Sequence, residues 1–145
     1  MGTPSQESTH RSRVRLVDAQ LSHGADTRTQ AEIALEWKAV EYRGRANGVG
    51  HGAMELRICA EAALDALHQL LGGQLSFRLV GVKSVKAFDG TVAIVALSAS
   101  DPDGAGDRRL IGTAPAVAGN IPQGVARAVL NATNRVLGNI LLTAD

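Results

Sequence analysis

Hydrophobic and polar residues alternate in the first third of the chain, as expected for strands that bury one face. Ile33, Leu35 and Trp37 share one side, while Glu32 and Glu36 fall on the other. An earlier alternating segment, RVRLVDAQL, predicts a strand before a turn at SHGADTR. A third strand is predicted in YRGRANGVGHG, after a turn near Glu41, and it runs into a glycine-rich loop.

The pattern then changes to the three- and four-residue spacing of an amphipathic helix. Its predicted apolar stripe is Leu56, Ala60, Ala63, Leu67 and Leu70. Polar residues, including His68, are predicted to face solvent on the opposite side. Gly72 and Gly73 are predicted to end the helix.

The same order of patterns follows a second time. FRLVGVKSV, TVAIVALSAS and RRLIGTA are predicted strands, with a turn at Asp89-Gly90. The middle strand is apolar on both faces, which is typical of a central strand covered on two sides. Asn120 is the predicted N-cap of a second helix, with Pro122 in its first turn.

These elements predict an α+β fold made of two pseudo-symmetric β-β-β-α units, with each antiparallel sheet backed by a helix. The units span about 13–73 and 74–142, and together they form one domain over 13–145. Residues 1–12 are polar and are predicted to be a disordered tail. We expect neither unit to bury its helix and sheet face well alone.

The charge balance and the low aromatic content of the chain disfavour some functional classes. Fifteen basic and fourteen acidic residues give a net charge of +1, and aromatic residues make up 3% of the chain. This balance disfavours nucleic-acid binding. A small nucleic-acid-binding domain is nevertheless an alternative, because Arg11, Arg13 and Arg15 form a basic cluster. No stretch has the pattern of a signal peptide or a membrane span, so we expect a cytoplasmic protein that binds neither nucleic acid nor membrane.

The chain shows no recognised catalytic constellation, metal-ligand spacing or cofactor motif, so we expect no enzyme activity, no metal and no cofactor. His10, His23, His51 and His68 share no short ligand spacing. Cys59 is interpreted as a small buried hydrophobe rather than a reactive thiol.

Two other groups of residues allow more than one interpretation. The sequence GVGHG before the first helix fits either a tight connection or a pocket for a small anion, with His51 either structural or in contact with a ligand. Arg127, Asn131 and Asn134 share one face of the second helix, where they are either solvated or hydrogen-bonded across a subunit seam.

The segments ANGVGHGAMEL and GNIPQGVARAVLNATNR carry a family resemblance. The chain resembles the C-terminal regulatory domain of the 2-isopropylmalate synthase and citramalate synthase family, without the catalytic barrel. The resemblance covers about residues 13–140. It implies a homodimer that binds a branched-chain amino acid or related small carboxylate and regulates a separately encoded synthase of leucine biosynthesis.

Carried over by position, the resemblance implies ligand-binding residues at the two strand-to-helix junctions. They are Gly50, His51, Gly52, Asn120 and Ile121. Two positions differ from the family pattern: Ala53 replaces a common proline, and Ala118 replaces a common aspartate. Because that aspartate would pair with an effector's ammonium group, Ala118 favours a ligand without an amine, or no effector. The alternative function is therefore a protein-interaction or structural module with the same fold.

Overall fold

A computed structural model describes residues 13–101, 106–117 and 119–143, with side chains described through residue 138. The predicted tail and Ala118 lie outside the described residues. The strands and helices are β1 (Arg15–His23), β2 (Arg28–Trp37), β3 (Val40–Val49), α1 (Ala53–Leu71), β4 (Ser76–Ala87), β5 (Gly90–Ser100), β6 (Asp107–Pro115) and α2 (Ile121–Thr143). A 3-10 turn at Ala25–Thr27 joins β1 to β2.

The predicted α+β fold with two β-β-β-α units is confirmed. The first sheet has the antiparallel order β1-β2-β3 and the second has the order β4-β5-β6, and each is followed by a helix. The two sheets share a further detail, since β1 and β4 each contain a register shift at the equivalent place, after Leu16 and after Leu79. The repeat therefore extends from the order of elements to the register of the strands.

Both long hairpins turn earlier than the sequence predicts. The first turn lies at Lys38 and Ala39, whose φ angles are +54° and +64°, and not near Glu41. The second lies at Phe88 and Asp89, with Phe88 at φ +59°. Both turns place non-glycine residues in the left-handed region, which such residues rarely adopt. Residue type therefore predicted the wrong turn positions.

Helix α1 is buried more widely than a single stripe. The predicted stripe is buried, and so are Ile58, Cys59, Ala62 and Ala66. The cause is that α1 packs on β2 and β3 of its own sheet, on α2, and on β4 of the second unit. Helix α2 likewise packs on β5 and β6, and reaches β1 of the first unit.

One glycine in each unit allows its helix to approach the sheet very closely. A Cβ added to Gly44 would lie 2.1 Å from the carbonyl oxygen of Ala62 and 2.3 Å from the nitrogen of Ala66. A Cβ added to Gly112 would lie at the same two distances from Ala128 and Ala132. These contacts align the two units residue by residue and fix which positions are equivalent.

The two units share one hydrophobic core, as expected. It contains Ile33 and Leu35 from the first sheet, Val95 and Leu97 from the second, and the facing sides of both helices. We call the contact of α1 with β4 the first seam, and the contact of α2 with β1 the second seam. Within the described residues, neither helix has the length and apolar character needed to cross a membrane.

Candidate functional site

The junction between β3 and α1 contains three of the predicted site residues. Gly50 and Gly52 have φ angles of +130° and +64°, and Gly52 is the N-cap of α1. The N–H of Gly50 donates to the carbonyl oxygen of Thr27 at 3.2 Å, and the N–H of Glu55 donates to that of Gly52 at 3.0 Å. These donors are already satisfied, so they are not available to an anion.

His51 faces two side chains that sequence reasoning did not group with it. The Nε2 atom of His23, at the end of β1, lies 2.5 Å from Oε2 of Glu55 in the first turn of α1. Nδ1 of His51 lies 3.8 Å from the same oxygen. The rings of His23 and His51 are stacked with their centroids 6.3 Å apart. The junction thus combines two imidazoles with a carboxylate.

Asn120 and Ile121 lie at the equivalent junction between β6 and α2. The side-chain amide of Asn120 donates to Oε1 of Gln123. The backbone carbonyl oxygen of Asn120 accepts the N–H of Gly124 at 3.3 Å. Ile121 is half-buried against the core. Among the described residues, no hydrogen bond or ion pair joins this junction to Gly50, so the ligand-binding role of both junctions stays a prediction.

The first seam forms an open groove of about 460 Å³ with charges of both signs. Glu61 and Asp65 of α1 line it, together with Arg78 of β4. His68, which was expected to face solvent, is half-buried there, and its Nε2 accepts the N–H of Phe77 at 3.0 Å. This histidine therefore joins the two units.

The second seam forms an equivalent groove of about 450 Å³, but its charge is different. The two helices are aligned by Ala62 of α1 and Ala128 of α2, which contact equivalent glycines. In this alignment Arg127 is equivalent to Glu61, and Asn131 is equivalent to Asp65. The other lining residues that carry charge are Arg13 and Arg15. Among the described residues, all the ionisable side chains that line this groove are thus arginines.

Several groups in the second groove already have partners. Arg15 forms an exposed ion pair with Glu36 at 3.3 Å. Nδ2 of Asn131 donates to the carbonyl oxygen of Thr113 at 2.7 Å. This hydrogen bond joins α2 to β6, the edge strand of its own unit. Within residues 13–101, 106–117 and 119–143, no acidic side chain forms an ion pair with Arg13 or Arg127. The groove is thus electropositive.

The outer faces of the two sheets also differ in charge. On the first sheet, Glu32 accepts hydrogen bonds from Arg43 at 2.5 Å and from Arg45 at 2.9 Å. The hydrogen bond from Arg43, and then that from Arg45, lower the pKa of Glu32. Arg43 also bonds Glu41 at 2.8 Å. This face is a network of exposed charges.

On the second sheet two of these positions, those of Glu32 and Arg43, are apolar. Glu32 pairs with Arg45 across the first sheet, and in the second sheet the matching pair is Ile94 with Thr113. Likewise, Arg43 pairs with Ala34 in the first sheet, and the equivalent pair in the second sheet is Ile111 with Ala96. We call the apolar outward residues of this face the Ile94 patch; its members are Gly81, Val85, Val92, Ile94, Ala96 and Ile111. Lys83 lies on the same face, opposite Ile94 on β4.

The patch is partly exposed. Ile111 is 65% exposed, and Ile94 and Ala96 are half-buried. β5 is the central strand of its sheet, as predicted. Its outward side chains, however, are only half-buried by the described residues. Phe88, at the tip of the β4-β5 hairpin, is fully exposed.

Comparison of the chain with protein-family models and with curated proteins finds no match.

Proposed function

We propose that this chain is a non-catalytic module that pairs with a second copy of itself and binds a small carboxylate. The observation that carries the proposal is the contrast between the two outer sheet faces. Two units that match in register, bulge and helix contact differ where Glu32 and Arg43 are replaced by Ile94 and Ile111. Exposed apolar patches of this kind are typical of interaction surfaces.

A second copy of the chain is the occupant that fits the patch best. Two copies of one patch are complementary to each other by symmetry, and a two-fold dimer is the commonest assembly of soluble proteins. Arg78 and Arg109 both flank Ser98, in one row beyond the apolar residues. A two-fold axis that stacks the strands antiparallel separates the two arginine rows to opposite ends of the interface, which avoids contact between these arginines.

The test of self-association is the molar mass in solution, measured by sedimentation velocity between micromolar and 100 µM protein. We expect a dimer, and we expect Ile111→Arg to raise its dissociation constant by about 30-fold or more, the effect of losing a central interface residue. The double variant Ile94→Glu with Ile111→Arg recreates the charged pair of the first sheet, so it should fold and be monomeric.

The matched control is Val49→Arg, because Val49 is 61% exposed on the outer face of the first sheet. This variant should remain dimeric. A monomeric wild-type chain at 100 µM, or an Ile111→Arg variant that stays dimeric, would contradict the proposed interface.

The carboxylate-binding part of the proposal rests on the second seam. A groove whose charged lining residues are Arg13, Arg15 and Arg127 attracts an anion, and arginine binds carboxylates through two parallel hydrogen bonds. None of the described lining residues is acidic, so they offer no anionic partner for an ammonium group. A carboxylate lacking an amine therefore fits it better than an amino acid does.

This part is tested by calorimetric titration with leucine, isoleucine and 4-methyl-2-oxopentanoate at constant ionic strength. We expect heat from the oxo acid and its loss in Arg127→Glu, which introduces the residue found at the equivalent place in the first seam. Glu61→Gln in that seam is the control. If no ligand gives heat, the carboxylate part fails and a dimerisation module without an effector remains.

A further inference from the structure

We propose that His23, His51 and Glu55 form a binding site for a divalent transition-metal ion at the β3-α1 junction. The three side chains come from three separate segments, namely the end of β1, the loop after β3 and the first turn of α1. Their nearest ligand atoms all lie within 4.8 Å of one another. The proposal is independent of the Ile94 patch and of the arginine groove.

The fold brings these ligands together through its backbone. The end of β1 is paired with β2 through His23 and Thr29, and β2 is paired with β3 through Thr29 and Gly48. Strand β3 then leads into the loop that carries His51. Because Gly52 is the N-cap of α1, Glu55 falls in the first turn, four residues after His51. The carboxylate is therefore held between the two imidazoles.

The distances require small adjustments for a metal ion to bind. Zinc-to-ligand bonds of about 2.0–2.1 Å place the ligand atoms of a tetrahedral site about 3.3 Å apart. Oε2 of Glu55 lies 2.5 Å from Nε2 of His23 and 3.8 Å from Nδ1 of His51, so one distance must lengthen and one must shorten. Both histidines are exposed, so their side chains have room to rotate.

The donor set indicates which ions to expect. Two imidazoles and one carboxylate suit Zn²⁺, Co²⁺ or Ni²⁺, whereas Mg²⁺ and Ca²⁺ prefer sites made of oxygen atoms alone. Glu55 supplies a negative charge, which offsets the unfavourable effect of the positive helix N-terminus on a cation. Three protein ligands leave a coordination position open to water or to a further ligand.

The test is titration of the full chain with Co²⁺, followed by visible absorption, with Mg²⁺ and Ca²⁺ as comparison ions. We expect one Co²⁺ per chain and a rise in melting temperature with Zn²⁺. His23→Ala, His51→Ala and Glu55→Gln should each weaken binding by at least about tenfold, since even partners outside the ligand shell affect metal affinity by about 10- to 100-fold.

His10→Ala is the control, because His10 is not one of the three residues of the proposed site; this variant should bind Co²⁺ like the wild type. Circular dichroism of each variant establishes that it is folded. The proposal is overturned if the wild type binds no Co²⁺ at 100 µM. It is also overturned if the three variants bind as tightly as the wild type, or if His10→Ala alone abolishes binding.

Discussion

Replacing Gly44 or Gly112 by alanine should strongly destabilise the fold, and by similar amounts. The new methyl carbon would lie 2.1 Å from a helix carbonyl oxygen, about 1.3 Å closer than the 3.4 Å at which ordinary contact begins. Both neighbours are backbone atoms, which cannot rotate away. The helix must therefore withdraw from the sheet, and a gap of 0.5–1 Å already removes about a quarter to a half of the contact energy along its length.

We expect each substitution to lower the free energy of unfolding by about 3 kcal/mol, the upper part of the usual range for overpacking. Urea denaturation at fixed protein concentration measures this, with an accompanying fall in melting temperature of about 10 °C. Gly90→Ala is the control, since Gly90 lies at the start of β5 with no atom within 4 Å of the added carbon. A loss below about 1 kcal/mol at either site, or a large difference between them, would refute the reasoning.

Two further predictions concern buried groups in and beside α1. Burial, and then the charge of Glu55, raise the pKa of Cys59 from 9.0 to about 12. The thiol of the folded chain should therefore resist a thiol reagent at pH 8 and react in urea. Because the thiol of the unfolded chain ionises at lower pH than that of the folded chain, the free energy of unfolding should fall between pH 9 and 12. This part of the loss should be absent in Cys59→Ala. His68→Ala should cost about 1–3 kcal/mol in urea denaturation, because it leaves the N–H of Phe77 without its acceptor. His68→Asn, which introduces the residue at the equivalent position Asn134, should recover much of this loss.

The repeated architecture was predictable because it depends on patterns that are local in sequence. The alternation around Ile33 and the helical spacing from Leu56 to Leu70 each reflect one buried face, and both predictions are confirmed. The hairpin turns were placed wrongly because Lys38 and Phe88 adopt left-handed conformations that their residue types do not favour. Turn position there depends on strand register, which only the paired strands establish.

The candidate sites were less predictable, because each combines residues that are distant in sequence. His23 and Glu55 are 32 positions apart, and their contact depends on the pairing of three strands. His68 was placed in solvent because helical spacing describes α1 and its own sheet, whereas its partner Phe77 belongs to the next unit. Comparison of the two repeats position by position could have revealed the change from Glu32 to Ile94.

The different outer faces of the two sheets also limit how large an assembly of this chain can become. A chain with an adhesive apolar face on each sheet could bind one neighbour through each, and copies would then join into chains without a defined end. The ion pairs of Glu32 with Arg43 and Arg45 keep the first sheet hydrated. In the proposed dimer the chains meet through the Ile94 patch, so association closes as soon as two chains have met. If that proposal holds, the loss of symmetry between the repeats sets the size of the complex.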